Sequence, residues 1–348
     1  MPSQFAPSTP SDLPQIAAFL RSNFNEAEGV SSFDQQLLKW KYFDSYPGWA
    51  QPRSFLLRQD QQITSHGGVW PVVLQNFSTT LRAGHLIDWA ASPSHPGGGV
   101  AVLRKIASTA DLLLTIGGSL HTRTILPRLG YRNCGEMPLL ARVVRPWLQW
   151  RTHPSPDHKA PLRFVRNTLW NLAPWPAVPK SWEAVRIAQF ESGIQLFLDA
   201  TLPQDFTSSR RTWQQLNYLL QCPAATFSAF LIAESGQLRG YFVVSQVGKQ
   251  ARIVEMRLST TDESLRHIAA SLAGRTASRD PQVCEVVSGS SWPPGNRAFE
   301  RAGFRVRRRQ PIFCLDPANH LRSAPPLNLT MLDGDLCFFS DPSHPYLT

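Results

Sequence analysis

The chain has 348 residues, of which 42% are hydrophobic and 17% are charged, so it is long enough for two domains and unlike a disordered protein. It has no run of about 18 apolar residues, and its first 15 residues lack a basic start and an apolar segment, so we expect no transmembrane segment and no secretory signal. The five cysteines are scattered and form no CxxC pair, which argues against a zinc site or a disulfide framework and favours a reducing cytoplasm. The net charge of +10 favours anionic ligands without selecting one class.

The first half of the chain predicts a helix, three strands, a second helix and a further strand. In chain order these segments are LLKWKYFDSYP (37–47), SFLLRQ (54–59), GGVWPVVL (67–74), HLIDWAAS (85–92) and VAVLRKIASTADLLLTI (100–116). The signature PRLGYR (127–132) follows, in which Gly130 comes directly after an amphipathic helix, as a C′ glycine does.

A segment rich in proline and tryptophan separates the two halves. Residues 146–182 hold seven prolines and five of the eleven tryptophans. Prolines at this density stop regular structure, so we predict a linker at 148–180 with a short helix near 162–172. The linker divides an N-terminal domain, 1–147, from a C-terminal domain, 181–348.

The tryptophans of this linker indicate that it packs against something. The simpler interpretation is packing between the two domains. The alternative is peripheral membrane contact through the segment that contains Arg163, Arg166, Trp170 and Trp175.

The second half repeats the pattern of the first. Its matching segments are WQQLNYLLQCP (213–223), FSAFLIAES (227–235), GYFVVSQV (240–247), RIVEMRLS (252–259) and ERAGFR (300–305). The offset is 176 between Pro47 and Pro223 and 173 between Gly130 and Gly303. Strands followed by a helix and a strand are typical of an α/β or layered α+β fold, so we predict two copies of one such unit.

The segment with most chemical content is the glycine loop at residues 92–104, between a predicted strand and a predicted helix. Gly97, Gly98 and Gly99 leave backbone N–H groups uncovered, and at a helix N-terminus such groups form a cradle for an anion such as a pyrophosphate. The alternative is a flexible connection without a ligand.

A strand, a glycine loop, a helix, a strand and a closing Leu-Gly-Tyr resemble the GNAT acyltransferase superfamily. In that superfamily the loop reads Arg/Gln-x-x-Gly-x-Gly/Ala and holds the pyrophosphate of coenzyme A. Gly99 and Ala101 match the last two positions, whereas Pro96 stands in place of Arg or Gln. Each domain is accordingly expected to be a mixed, twisted sheet flanked by helices.

The order of the motifs narrows this resemblance to tandem-GNAT proteins over roughly residues 10–340. It rests on LKWKYFDSYP (38–47), IDWAASPSH, the proline-rich middle, the second GNAT-like half and the ending LTMLDGD. Such proteins are often predicted to act in bacterial polysaccharide or cell-surface biosynthesis.

The resemblance implies an acyl-CoA, such as acetyl-CoA, bound to the first domain. The implied contacts are Trp89, Ala90, Ala91, His95, Gly97, Gly98, Gly99, Val100 and Ala101. The second copy has LSTTDESLRHIAASLA (258–273) at the equivalent place, without glycine, and Asp262 and Glu263 there would repel a pyrophosphate. We therefore expect the second domain to be degenerate and to support the first.

Acyl transfer to an amine needs a base, a group that polarises the carbonyl and an acid for the thiolate. Asp88 is the first candidate base; alternatively it is a structural carboxylate paired with an arginine. Further candidates are the histidines and a serine beside one of them: His85, His95, His121 and Ser119. The superfamily's usual acid, a tyrosine four residues before the closing glycine, is replaced by Leu126 and Phe299.

Three functions remain open. The first is a cytoplasmic acyl-CoA-dependent N-acyltransferase acting on an amine of a small molecule or amino sugar. The second is a non-catalytic tandem-GNAT scaffold of a polysaccharide system, and the third is a Fem-type transferase that uses aminoacyl-tRNA. We expect no metal site and no specific nucleic-acid site, since Asp333-Gly-Asp335 fits a tight turn and the basic run Arg305–Arg309 fits a solvated face.

Overall fold

The computed structural model describes residues 4–24, 31–76, 79–154, 158–202, 205–341 and 344–348. The strands in these ranges are β1 (Gln4–Pro7), β2 (Ser54–Gln59), β3 (Gln62–Gln75), β4 (Thr80–Ala91), β5 (Leu112–Ile116), β6 (Arg132–Val143), β7 (Trp182–Ile187), β8 (Thr207–Ser209), β9 (Thr226–Glu234), β10 (Gln237–Val247), β11 (Gln250–Leu258), β12 (Glu285–Gly289), β13 (Arg305–Leu315) and β14 (Leu327–Asn328). The helices are α1 (Leu13–Phe24), α2 (Gln35–Tyr42), α3 (Gly98–Ile106), α4 (Leu120–Ile125), α5 (Pro146–Thr152), α6 (Ala160–Asn171), α7 (Ile194–Ala200), α8 (Trp213–Leu220), α9 (Glu263–Ala277) and α10 (Pro293–Arg301).

The two halves repeat one order of elements. The series β1, α1, α2, β2, β3, β4, α3, β5, α4, β6 returns as β7, α7, α8, β9, β10, β11, α9, β12, α10, β13, with β8 added between α7 and α8. Gly130 and Gly303 have φ angles of 89° and 87°, as helix-ending glycines do. The predicted mixed α/β fold, a mixed sheet flanked by helices, is therefore confirmed.

All strands join one sheet, and the closing strand of each half pairs with the other half. The main order is β1-β2-β3-β4-β5-β13-β6-β12-β11-β10-β9-β7. Strand β13 pairs with β5 through Ile312 and Ile116, and β6 pairs with β12 through Leu140 and Ser288. The halves therefore share their central strands, which the sequence did not predict.

The strands alternate between two apolar layers, because successive side chains of a strand point to opposite faces. On β3, Val69 packs in a cluster with α3, whereas Trp70 packs in a large cluster with α1, α2, α7 and α8. On β11, Ile253 packs with α9 and α10, whereas Val254 belongs to the same large cluster as Trp70. One core therefore runs beneath both halves, and each half has a second core on the opposite face.

The segment that follows β14 connects the two halves. The carbonyl of Asp333 accepts a hydrogen bond from His85 in the first half at 2.8 Å, and its carboxylate binds Arg211 of the second half at 2.8 Å. The carbonyl of Leu332 accepts from the Trp70 indole at 3.2 Å. The segment predicted as a turn around Asp333 is therefore anchored in the interior.

The predicted linker contains two helices, where one was expected. Helix α5 begins at Pro146, a residue that the first turn of a helix accepts because that turn has no partner for its N–H groups. Trp170 on α6 is buried, whereas Trp147 on α5 is exposed. The Trp175 ring stacks on Arg142 of the first half and lies 6.0 Å from the Phe304 ring of the second, which supports packing between the halves.

Candidate active site

Strands β11 and β12 of the second half run parallel and then separate. Their pairing extends from Gln250 to Ile253 on β11, and β11 continues beyond it to Leu258. A register shift in the pairing of β11 with β10, between Val243 and Val244, marks a bulge at the same level. The separation opens a cleft of about 490 Å³, which lies within the usual size range of small-molecule sites.

The cleft is bounded by both strands, the start of α9, helix α10 and two loops. Residues that form its walls include Ser209, Glu255, Met256, Leu258, Thr261, Arg266, Trp292, Asn296, Phe299, Asn328 and Thr330. The region before α9 is the counterpart of the glycine loop in the repeat. The second half therefore holds an open space at the place where the sequence predicted a degenerate site.

The main chain of β11 presents hydrogen-bonding groups to this cleft. Ser259 donates its N–H to the carbonyl of Arg239, on the β10 side. Because hydrogen bonds alternate along an antiparallel pair, the N–H and C=O groups of Met256 and Leu258 point away from β10. They face the opening that β12 has left.

Three buried polar atoms in the walls of the cleft have no hydrogen-bond partner within the described structure. They are Ser209 Oγ, Arg266 Nε and Trp292 Nε1. Such atoms are costly to leave unpaired, so the walls of this cleft would be stabilised by any polar group, water or ligand, that reached them. The Arg266 guanidinium stacks at 4.4 Å from the Trp292 ring centroid, and burial lowers its pKa.

Glu255 lies at the bulge and is held by a network of charged and hydroxyl groups. It accepts from Arg211 Nε at 2.8 Å, from Thr330 Oγ1 at 3.2 Å and from the hydroxyl of Tyr241. Burial raises the pKa of Glu255, but Arg211 and Arg257 lower it by more, so the net direction is downward. Glu255 is thus a buried, ionised carboxylate within an ion pair.

The carboxylates at the start of α9 are engaged by the protein. Asp262 accepts from the Ser264 N–H at 2.7 Å and so caps the helix. Glu263 is bound by Arg297 at 3.0 Å and by Arg301 at 2.9 Å. The repulsion of a pyrophosphate expected from these two residues is therefore offset at Glu263 by two guanidinium groups.

The corresponding place in the first half is bridged by His85. Strands β4 and β5 pair from Ala83 to His85, and the His85 ring then accepts from the Ile116 N–H of β5 at 3.1 Å. Its other nitrogen lies 2.8 Å from the carbonyl of Asp333, to which it must donate. Burial lowers the pKa of His85, which agrees with this neutral tautomer. His85 thus has a structural role at the point where the strands would part.

The glycines of the first loop serve the packing of α3 against the sheet. A Cβ at Gly98 would lie 2.4 Å from Ser65 Oγ, and one at Gly99 would lie 3.2 Å from the Cβ of Ala91. The Trp89 indole donates to the carbonyl of Gly99 at 2.9 Å. Gly97, with φ of 87°, precedes the helix. These contacts explain the glycines without a ligand, although binding of an acyl-CoA to this loop remains a prediction.

The other predicted coenzyme contacts lie around the same loop. Ala90 is on β4 and pairs with His66, whereas Val100 and Ala101 are in the first turn of α3. His95 lies in the loop, where Ser94 Oγ is 2.9 Å from its Nδ1 and its carbonyl accepts from the Gly98 N–H. The structure thus brings all the predicted coenzyme residues together.

Asp88 is a buried ion-pair residue. Its carboxylate accepts from the ammonium of Lys41 and from the hydroxyl of Tyr42, so its partner is a lysine where the sequence suggested an arginine. Burial and the Asp88 carboxylate raise the pKa of Tyr42 well above its usual value, which keeps the phenol protonated. The cavity beside these side chains measures about 10 Å³, room for at most one water.

The two remaining candidates lie at helix α4. Ser119 is its N-cap and accepts from the Thr122 N–H at 3.1 Å. His121 is exposed on the first turn of the same helix. Neither side chain is among the hydrogen-bond partners described for Asp88, so the proposed combination of Asp88 with His121 and Ser119 remains a prediction.

The described part of the chain offers no group of three or more His, Cys, Asp or Glu side chains placed to hold a metal ion. Its helices are each too short or too polar to span a membrane.

The fold is similar to those of several solved acyltransferase structures. A GCN5-related N-acetyltransferase from Anabaena variabilis matches with a TM-score of 0.60 and 12% identity, over 90% of this chain and 73% of that chain. N-myristoyltransferase from Saccharomyces cerevisiae, with bound myristoyl-CoA, matches with a TM-score of 0.60 and 10% identity, over 90% of this chain and 82% of that chain. A tandem GNAT protein from the clavulanic acid biosynthesis pathway matches with a TM-score of 0.57 and 13% identity, over 90% of this chain and 98% of that chain.

At these identities the likeness concerns the fold, and the chain has a tandem GNAT-like fold. Its sequence matches no protein-family model and no curated protein.

Sequence reasoning missed Arg266, Trp292 and Ser209, because no local motif marks them. One signal was available, since the repeat aligns Asp88 with Glu255 at an offset of 167. That alignment placed RIVEMRLS at the position equivalent to HLIDWAAS, but the loop that follows it lacks glycine, whereas the loop of the first half has three.

Proposed function

We propose that this protein is an acyl-CoA-dependent N-acyltransferase whose acyl-CoA binds in the cleft of the second half. The observation that carries the proposal is the V-shaped separation of β11 and β12, which opens a cleft of about 490 Å³. In the first half, the equivalent separation is bridged by His85.

The residues of the cleft suit the parts of the coenzyme. A pantetheine arm carries amide groups, which the free N–H and C=O groups of Met256 and Leu258 can bind as a neighbouring strand would. A pyrophosphate needs positive charge and N–H donors, which Arg266 and the first turn of α9 supply. The resemblance to GNAT enzymes supports the same arrangement, with the pantetheine arm along β11 and the pyrophosphate at the start of α9.

The reaction is acyl transfer from a thioester to an amine. The amine nitrogen attacks the thioester carbon, the carbonyl oxygen gains negative charge, and a β11 N–H stabilises that charge. Collapse of this intermediate breaks the C–S bond and leaves an amide, and the proton that the amine loses passes through solvent to the departing thiolate, which leaves as the free thiol. Because Glu255 is held by Arg211, we assign it to fixing the bulge that orients these N–H groups.

The acceptor is an amine of a small molecule or amino sugar. Asp205 is an exposed residue of the cleft wall. Its carboxylate attracts a protonated amine that enters the cleft from solvent. A role in polysaccharide biosynthesis and a cytoplasmic location remain predictions.

A second candidate is a protein that binds acyl-CoA without transferring the acyl group. Phe299 favours it, because this residue lines the cleft at the position where the superfamily has its acidic tyrosine. The Fem-type transferase stays a prediction without a specific observation in its favour.

Calorimetric titration with acetyl-CoA and longer acyl-CoAs tests the proposal. We expect binding with one site per chain, weakened at least tenfold by Arg266→Gln and unchanged by Arg275→Gln, a control on the exposed side of the same helix. Absence of binding to every acyl-CoA would reject both candidates. Release of free thiol with a panel of amines then separates the enzyme from the binding protein.

A further inference from the structure

Helices α5 and α6 carry a continuous apolar surface. The exposed fractions are 73% for Leu162, 55% for Val165 and 64% for Leu169 on α6, and 73% for Leu172, which follows its last residue. On α5, Trp147 is 61% exposed. We call these five residues the α5–α6 apolar face. Isolated exposed leucines are common on proteins, but such a group on adjacent helices indicates a contact surface.

The spacing of these residues places them on one side of α6. Steps of three, four and three residues from Leu162 to Leu172 keep side chains along one stripe of a helix. The opposite side of α6 is buried through Ala160, Asn167 and Trp170. Helix α6 is thus attached to the protein by one side and presents leucines on the other.

Aromatic contacts join the two helices into one surface. The rings of Trp147 and Trp150 lie 6.1 and 5.4 Å from the ring of Phe164, measured between centroids. Trp150 is also partly exposed. Tryptophan is enriched at the boundary between water and lipid, because its ring is apolar and its indole N–H is polar.

The surroundings of this face are strongly basic. Residues 145–180 contain six basic residues and one acidic residue, a net charge of +5 in a chain whose total is +10. Two further arginines approach α6, since Arg305 and Arg307 lie 5.2 and 5.9 Å from the Trp170 ring centroid. Burial and the positive charges of Arg307 and Arg163 lower the pKa of Arg166. Arginines gathered in this way are stabilised by anions.

We propose that the α5–α6 apolar face docks on the surface of an anionic lipid membrane, with leucine and tryptophan side chains among the acyl chains and the arginines on phosphate headgroups. An amphipathic helix with leucine, tryptophan and arginine has the chemistry of an interfacial helix. The concentrated positive charge favours a lipid surface over a second copy of this chain, because two such faces would repel each other.

Flotation of the full-length protein with vesicles tests the proposal. Vesicles of phosphatidylcholine are compared with vesicles of phosphatidylcholine mixed with phosphatidylglycerol. We expect binding to the mixed vesicles, at least tenfold weaker binding to the neutral ones, and weakening of the former by salt.

Variants then locate the contact. Leu169→Glu combined with Leu172→Glu is expected to reduce binding to the anionic vesicles at least tenfold. The matched control is Leu120→Glu combined with Leu196→Glu, two leucines that are 82% and 83% exposed on α4 and α7 and should retain binding. All four positions are exposed, so both variants are expected to fold, which circular dichroism verifies.

Three outcomes would overturn the proposal. The first is that the protein fails to bind anionic vesicles, and the second is that both double variants bind them equally well. The third is that the protein does not bind vesicles but forms a dimer in sedimentation, which the Leu169/Leu172 variant disrupts. Binding of acyl-CoA is measured in a separate experiment, so a protein that fails to bind acyl-CoA can still be tested for binding to vesicles.

Discussion

Asp88 and Glu255 occupy equivalent positions in the two halves. Each lies at a bulge, Asp88 in β4 before helix α3 and Glu255 in β11 before helix α9. Asp88 has φ of 48°, and the β11 register shifts beside Glu255. A buried cation and a tyrosine hydroxyl hold each carboxylate, Lys41 with Tyr42 in one case and Arg211 with Tyr241 in the other. The halves therefore share this ion pair, and they differ in that the His85 ring joins the two separating strands of the first half.

Replacement of Asp88 by Asn tests whether this carboxylate is structural. The change leaves Lys41 as a buried cation without its counter-charge, so we expect the free energy of unfolding to fall by about 3 kcal/mol. Acetyl-CoA affinity should stay unchanged. Urea denaturation and titration calorimetry provide the two measurements.

The double variant Lys41→Met/Asp88→Leu serves as the control, since it removes both charges and should recover part of the lost stability. If Asp88→Asn instead abolished acyl transfer while stability was retained, Asp88 would be the base.

Acidification is expected to destabilise the protein through His66. Its ring is buried between Ser54 Oγ at 3.0 Å and the Asp88 carbonyl at 2.9 Å, and burial lowers the pKa of His66 to about 4. The unfolded chain binds this proton near pH 6.5, whereas the folded protein does not. Stability is therefore full above pH 6.5 and falls as the pH drops toward 4, by about 3 kcal/mol in total.

Comparison with His66→Gln isolates this effect, because burial raises the pKa of Glu285 and Asp335 and those groups act in the opposite sense. The difference in free energy of unfolding between wild type and His66→Gln should shrink by about 3 kcal/mol between pH 7 and pH 4. A difference independent of pH would show that His66 titrates normally.

The exchange of closing strands predicts that the two halves unfold together. Strand β6 lies between β13 and β12, so melting of either half exposes the edge of the other. Scanning calorimetry should show one transition. Leu140→Ala, a cavity in the shared strands, should shift that whole transition downward, with a loss of about 3 kcal/mol. Two transitions, of which one moves, would contradict this coupling.

Phe299→Tyr tests the missing acid. The new hydroxyl would stand in the cleft, where it can protonate a departing thiolate. With an amine that wild type accepts, we expect the rate of thiol release to rise roughly tenfold, less than the roughly hundredfold or more that a fully optimised general acid supplies. Phe339→Tyr, outside the cleft, should leave the rate unchanged. Equal rates in all three proteins would mean that the thiolate leaves without an acid.

The repeated frame could be predicted from sequence because it rests on local signals. Alternating apolar strands and the glycines after α4 and α10 are features that a short segment determines by itself. The exchange of β6 and β13 between the halves could not be predicted from such local signals. The two strands follow similar signatures, and each fits beside either β5 or β12.

The sequence favoured the first half as the coenzyme site because glycine has two explanations. Gly98 and Gly99 allow α3 to approach Ser65 and Ala91, which is a packing requirement and resembles an anion loop in sequence. The two halves differ by a long-range contact, namely that His85 bridges β4 and β5 in the first half. The sequence contains no local sign of that bridge.

Acetyl-CoA affinity of two loop variants tests the central claim most directly. Thr261→Glu adds a negative charge at the exposed start of the second-half cleft, and Ser94→Glu adds the same charge to the exposed glycine loop of the first half. If the coenzyme binds in the second half, titration calorimetry should show an affinity about tenfold lower for Thr261→Glu, equivalent to about 1.4 kcal/mol, and unchanged for Ser94→Glu. A loss of affinity confined to Ser94→Glu would contradict the account and return the site to the first half.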